Sequence, residues 1–94
     1  MLKRRIMIVD DHPLFRAGLR RVLEQDPRLQ VVAEAANGHD ALHKADMYKP
    51  ALVIMDVQLP GVTGLHVASA LRRERPNTAI IFLSMHVDDD RLFA

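Results

Sequence analysis

The chain has 94 residues, a length that allows one small domain and excludes two. Apolar residues make up 49% of it, which excludes a disordered chain and is typical of globular proteins. With 13 basic and 12 acidic residues the net charge is +1, which does not indicate direct nucleic-acid binding, and the lack of cysteine excludes disulfides and thiolate metal sites.

The chain opens on basic residues, Lys3 to Arg5, which are followed by the apolar run Ile6–Val9. This run ends at Asp10 and is shorter than the ~7 residues of a minimal signal-peptide core or the ~20 residues of a membrane span. The sequence therefore predicts a soluble, cytoplasmic protein that does not contact the membrane.

The run Ile6–Val9 is also the first of four predicted strands, all short, apolar and rich in β-branched residues, as in parallel sheets buried on both faces. A helix is predicted after it, with an apolar face formed by Leu14, Phe15, Leu19, Val22 and Leu23. Gly18 lies in this stripe. Because glycine weakens a helix, its presence predicts a close approach of the helix to the sheet.

The second predicted strand, Val31–Ala33, is followed by a helix that begins at Asn37. Asparagine is a good N-cap, and Asp40 suits the first turn because it complements the helix dipole. Pro50 is expected to end this helix. Its inner face is predicted to carry Ala41, Leu42, Ala45 and Tyr48.

The third predicted strand, Leu52–Met55, precedes a helix that begins after Thr63 and ends before Pro76. Its buried side chains are predicted to be Leu65, Ala68 and Leu71. The fourth strand, Ala79–Leu83, leads into the start of a fourth helix near Asp88. This alternation predicts an α/β fold with a doubly wound parallel sheet in one domain, because each crossover helix must cover a face of the sheet.

Three carboxylates follow the first and third strands: Asp10 and Asp11 end one run, and Asp56 ends the other. Ligands of open α/β sheets bind beyond the carboxyl ends of the strands, where these side chains would meet. Oxygen ligands of this kind suit Mg²⁺, which would relieve their mutual repulsion. The sequence therefore predicts a magnesium site at this edge.

Two further features support a site around Asp56. Leu59-Pro60-Gly61 is a turn signal that leaves the carboxylate room, and the Ser84 hydroxyl follows the fourth strand at the same edge, where it can donate a hydrogen bond to a phosphoryl oxygen. A structural alternative stays open, in which Asp11 caps the first helix, Asp56 is a loop residue and Ser84 is an ordinary polar strand end.

Two longer motifs carry a family resemblance. The segments "IVDDHPLFR", residues 8–16, and "LVIMDVQLPGVTGL", residues 52–65, resemble the receiver domain of two-component response regulators of the NarL/LuxR type. The resemblance covers the whole chain and implies a flavodoxin-like sheet of order 2-1-3-4. It also implies that residues 1–94 are one receiver domain, C-terminally incomplete, because the family's fifth strand, its lysine and the last helix would follow residue 94.

The resemblance also implies roles for single residues. Asp56 would accept a phosphoryl group from a sensor histidine kinase, which makes the domain a phosphoacceptor rather than an enzyme. Asp11 would bind Mg²⁺ directly, Asp10 mainly through water, and Gln58 through its main-chain carbonyl. Ser84 would be the switch hydroxyl, and a DNA-binding output domain is expected outside this segment.

The sequence disfavours three other classes of function. His39 and His43 have the spacing of a zinc pair, but no third ligand is evident. Gln58 replaces the second acid that aspartate-nucleophile phosphatases need, and Asp10-Asp11-His12-Pro13 replaces the glycine-rich loop of dinucleotide-binding domains. His12 is interpreted as a loop or capping residue.

A further alternative remains, in which the domain is a signalling-silent module that dimerises or exchanges elements. In either interpretation the fourth strand, Ala79–Leu83, is predicted to be an apolar sheet edge that forms a homodimer or a domain-swapped oligomer with a second copy.

Overall fold

A computed structural model describes residues 3–83 of the chain. Strands and helices alternate in the order β1 (Arg4–Val9), α1 (Pro13–Leu23), β2 (Leu29–Ala35), α2 (Gly38–Tyr48), β3 (Leu52–Asp56), α3 (Gly64–Glu74) and β4 (Ala79–Leu83). The predicted α/β alternation is confirmed. The helix predicted near Asp88 lies outside the described residues. No helix among residues 3–83 has the length and hydrophobicity needed to cross a bilayer.

The four strands form one parallel sheet in the order β2-β1-β3-β4, as predicted for a doubly wound, flavodoxin-like fold. Strands β1 and β3 are central, and they are buried from Ile6 and Val53 onward, which explains their uninterrupted apolar runs. The register pairs Val9 with Met55. Asp10 and Asp56, the next residues, therefore lie side by side at the carboxyl ends of these strands.

The hydrophobic core lies between the sheet and the helices α2 and α3. It is formed by Met7, Val9, Ala33, Ala35, Ala41, Ala45, Val53, Met55, Leu59, Val67 and Leu71. Small side chains on α2 let its backbone lie close to the sheet, while α3 contributes larger ones. This packing holds the carboxyl ends of β1 and β3 in a rigid frame.

The predicted N-cap at Asn37 and the predicted start of α3 after Thr63 are confirmed, and Thr63 is itself an N-cap. The Asn37 side chain accepts a hydrogen bond from the Asp40 amide at 2.8 Å, and the Thr63 hydroxyl accepts one from the His66 amide at 3.2 Å. Two predicted core positions are wrong, because Leu65 is 60% exposed and Tyr48 is also exposed. In α3 the inward face is instead formed by Gly64, Val67, Ala68 and Leu71, so Leu65 lies off that face of the helix.

Helix α1 differs from α2 and α3 in that none of its residues is buried. Its contacts with the sheet are therefore of a different kind. Leu14 is 90% exposed, and a Cβ added at Gly18 would meet no atom within 4 Å, so the predicted close approach at Gly18 is wrong. Arg16 and Arg20 instead form ion pairs with Glu34 on β2, at 3.2 and 2.8 Å. Phe15, Leu19 and Leu23 supply partly buried apolar contacts.

Candidate metal centre

The predicted carboxylates converge at the carboxyl ends of β1 and β3. Asp10, Asp11 and Asp56 each bring a side-chain oxygen to one place, and His12 adds a ring nitrogen; all four atoms lie within 4.8 Å of one another. The structural alternative for Asp11 is not supported, because His12 occupies the N-cap position of α1. The register of β1 and β3 is the reason that these side chains meet.

Two of the carboxylates are buried, which favours a counter-charge beside them. Asp10 is 1% exposed and Asp56 is 2% exposed, and the Oδ2 atom of each has no hydrogen-bond partner in the described part of the chain. Two carboxylates ~5 Å apart repel each other by about 3 kcal/mol at an effective dielectric of 20. A hard cation with oxygen ligands fits here, because it would satisfy both orphaned oxygens and relieve this repulsion.

The ring of His12 contacts two of the carboxylates. Its Nδ1 atom is 2.7 Å from Asp10 Oδ1 and 3.0 Å from Asp11 Oδ1. The hydrogen bond with Asp10 raises the pKa of His12 above its ordinary value of 6.5; desolvation opposes the shift, and the charges of Asp11, Asp10 and Asp56 add to it. Sequence reasoning placed His12 at the cap but missed its contact with the carboxylates.

The loop from β3 to α3 orients the Asp56 carboxylate. The Gln58 amide donates to Asp56 Oδ1 at 3.0 Å, which leaves Oδ2 free. An antiparallel bridge between Gln58 and Thr63 closes the loop, and Gly61 takes a φ of 81° at its tip. This confirms the predicted turn. A metal contact from the Gln58 carbonyl stays a prediction.

Gly64 lets this loop return close to the end of β3. Its amide donates to the Val57 carbonyl at 2.5 Å, and a Cβ added at Gly64 would lie 2.3 Å from the Asp56 carbonyl oxygen. Only glycine permits this contact between backbone segments. Sequence reasoning did not single out Gly64, although a glycine directly after a helix N-cap was the available signal.

Arg16 supports the other half of the site. Its guanidinium donates to the Asp10 main-chain carbonyl at 2.5 Å and to the Glu34 carboxylate at 3.2 Å. Lys44 on α2 donates to the Glu34 carbonyl at 2.6 Å, so α2 is attached to the same residue of β2. Arg16 therefore links the turn that carries Asp10 and Asp11 to β2. Arg16 lies next to the apolar face of α1 in the sequence, and this position was the available sign that its side chain faces the sheet.

Two other predicted features give no second site. Ser84 lies outside the described residues, so its role stays a prediction. His39 and His43 line a groove between α2 and α3 together with Asp46 and Glu74. Within residues 3–83, the cluster at Asp10 is the one place where three or more metal-binding side chains gather, and it does not include the histidine pair.

Comparison with known proteins agrees with this geometry. Residues 6–94 match the family model described as "Response regulator receiver domain". The chain is 40% identical over 89 residues to the nitrate/nitrite response regulator protein NarP of Escherichia coli K12, covering 95% of the chain and 41% of NarP. It is 36% identical over 87 residues to the transcriptional regulatory protein DegU of Brevibacillus brevis, covering 93% of the chain and 37% of DegU.

Solved structures show the same likeness. The signal receiver domain of a NarL protein from Mycobacterium tuberculosis superposes with a TM-score of 0.86 at 33% identity, covering 99% of the chain and 75% of that structure. A LuxR-family two-component response regulator from Aurantimonas sp. SI85-9A1 superposes with a TM-score of 0.85 at 36% identity, covering 97% and 65%. The chain thus spans about two fifths of the curated relatives NarP and DegU.

Proposed function

The chain belongs to the response regulator receiver domain family, and we propose that Asp56 accepts a phosphoryl group from a sensor histidine kinase, with Mg²⁺ held by the surrounding carboxylates. The observation that carries the proposal is the pair of buried Oδ2 atoms, on Asp10 and Asp56, that have no hydrogen-bond partner in the described residues. Residues 1–94 act, in this proposal, as one receiver domain in the cytoplasm.

In this proposal Asp10, Asp11 and Asp56 hold the metal ion, and the Gln58 carbonyl adds a ligand. When bound, Mg²⁺ neutralises charge on the phosphoryl oxygens and orients the group for in-line transfer. One carboxylate oxygen of Asp56 attacks phosphorus, a new O–P bond forms, and the bond between phosphorus and the donor breaks. The Gln58 amide holds the other carboxylate oxygen during the attack. The Ser84 hydroxyl donates to the phosphoryl group afterwards.

The output belongs to the longer proteins that this chain resembles. NarP is a response regulator and DegU a transcriptional regulatory protein, and both extend well beyond the matched part. In our proposal the phosphorylated domain controls transcription through a DNA-binding domain outside this segment, while the segment itself does not contact DNA.

Phosphoryl transfer to Asp56 can be measured directly. Incubation with a small-molecule phosphodonor such as acetyl phosphate and Mg²⁺ should add the mass of one phosphoryl group to the intact chain. The same treatment of Asp56→Asn, or of the wild type in excess chelator, should leave the mass unchanged. Asp46→Asn is the matched control, because Asp46 is 86% exposed on α2 and should not alter incorporation. A wild-type chain that stays unmodified would refute the proposal.

A second candidate function, self-association through β4, is favoured by one observation. Ile81 is 49% exposed on β4, and within residues 3–83 this strand pairs only with β3. Pairing with a second copy would satisfy its outer backbone groups and cover apolar surface. Light scattering should show a mass that rises with concentration toward a dimer, and Ile81→Lys should suppress the rise. A monomer at millimolar concentration would count against this candidate.

A further inference from the structure

A basic cavity lies at the end of the sheet opposite the carboxylates. It has a volume of about 540 Å³ and is lined by Lys3, Arg4, Arg5, Arg28, Leu29, Lys49 and Ala51. Five of these seven residues are cationic, and none of those that line the cavity in the described structure is acidic. The cavity therefore gathers 5 of the 13 basic residues of a chain whose net charge is only +1.

Three separate segments build this cavity, and backbone hydrogen bonds fix their relative positions. The Arg4 amide donates to the Arg28 carbonyl at 2.7 Å, which joins the starts of β1 and β2. The Ala51 amide donates to the Arg5 carbonyl at 2.9 Å, which joins β1 to the loop before β3. The cations are therefore carried by the rigid amino ends of the strands and not by one flexible tail.

Most of the positive charge in the cavity has no internal counter-charge. Arg28 pairs with Asp26 at 2.7 Å, and the Arg5 guanidinium donates to the Tyr48 carbonyl, which is neutral. The side chains of Lys3, Arg4 and Lys49 form no ion pair or hydrogen bond with any residue in the range 3–83. An anion bound among these groups would relieve their mutual repulsion and receive several donors at once.

The backbone at Lys49 gives an independent indication. Lys49 ends α2 with a φ of 49° and is the one non-glycine residue with positive φ in residues 3–83. Helices that end in this left-handed conformation usually do so with glycine or asparagine, because a Cβ is unfavourable there. A lysine at a strained position whose side chain lines the basic cavity points to a binding role, since strain that persists in a fold often serves a site.

We propose that this cavity binds a small molecule that carries two or more phosphate groups. Arginine and lysine donors from three segments match several phosphate oxygens, and guanidinium groups bind phosphate with two hydrogen bonds at a time. A volume of about 540 Å³ is in the range of ordinary small-molecule sites. The cations are gathered at one end of the sheet rather than along an extended basic stripe, which favours a compact ligand over a nucleic-acid backbone.

The test is calorimetric titration of the full chain with inorganic triphosphate. The buffer contains chelator, so that triphosphate cannot bind at Asp56 through a divalent cation. We expect saturable one-to-one binding that weakens as salt is raised. Lys49→Gly should weaken it by about tenfold, the equivalent of one charge-assisted hydrogen bond. The same variant should unfold at a temperature equal to or above that of the wild type, because glycine relieves the strain at φ 49°. Arg73→Gln on α3 removes one charge elsewhere and should bind like the wild type.

Three results would overturn the proposal: no saturable binding, equal weakening by Lys49→Gly and Arg73→Gln, or binding of a DNA duplex without binding of triphosphate. Titration with ATP then separates two sources of the phosphate groups. Equal affinity for ATP and triphosphate supports recognition of the phosphates alone, and a tighter ATP complex supports a nucleotide. Asp56→Asn should leave the binding unchanged, which keeps this site distinguishable from the proposed phosphoacceptor.

Discussion

Gly64→Ala is expected to lower the free energy of unfolding by about 3 kcal/mol or more, a large share of the ~5–15 kcal/mol that stabilises a small domain. The added Cβ would lie 2.3 Å from the Asp56 carbonyl oxygen and 3.0 Å from Val57 Cα. Both neighbours are backbone atoms at the end of a central strand, so neither can rotate away as a side chain would. Urea denaturation followed by circular dichroism measures the loss.

Gly18→Ala is the matched control for this substitution. It also adds one methyl group to a helical glycine, but a Cβ at Gly18 meets nothing within 4 Å. Alanine is favoured over glycine in a helix by about 0.5–1 kcal/mol, so Gly18→Ala should raise stability by up to that amount. Opposite signs for the two variants would support the close approach of the loop at Gly64. A Gly64→Ala chain as stable as the wild type would contradict it.

Asp56→Asn in metal-free buffer is expected to raise the free energy of unfolding by about 1–3 kcal/mol, because it removes one of two buried carboxylates that repel each other. The asparagine carbonyl can keep the hydrogen bond from Gln58, while its amide places a donor among the remaining carboxylate oxygens. A substitution at the proposed phosphoacceptor should thus stabilise the fold while it removes the chemistry. Thermal and urea unfolding in chelator measure this effect.

The same two proteins should differ in how much magnesium stabilises them. At ~100 times its dissociation constant, a ligand that binds only the folded state adds about 2.7 kcal/mol of stability, and the wild type should gain such an increment. Asp56→Asn should gain little, because one metal ligand is lost. Asp46→Asn makes the same replacement of a carboxylate by an amide, but at an exposed position, and should keep the wild-type response to magnesium. A metal-free Asp56→Asn chain less stable than the wild type would show that Asp56 is satisfied without a cation.

Local patterns in the sequence were sufficient to predict the strands and helices. Apolar runs without alternation predicted the central strands, and the caps at Asn37 and Thr63 predicted where α2 and α3 begin. Because the strands are parallel, their carboxyl ends lie at one edge, and the order implied by the family resemblance places β1 beside β3, so that Asp10 and Asp56 meet there. The prediction succeeded because each of these features depends on residues that are close in the chain or on the geometry of the sheet.

Tertiary structure alone decided how that site is supported and what else the fold carries. The ring of His12 lies on Asp10, Arg16 reaches the Asp10 carbonyl, and Gly64 fits against the end of β3, each because of how the chain turns in space. Periodicity overestimated the burial of α1, since a helix shows its apolar stripe whether or not a neighbour covers it. The acidic edge follows from where two strands end. The basic cavity needs three distant segments, and only the packed sheet brings them together.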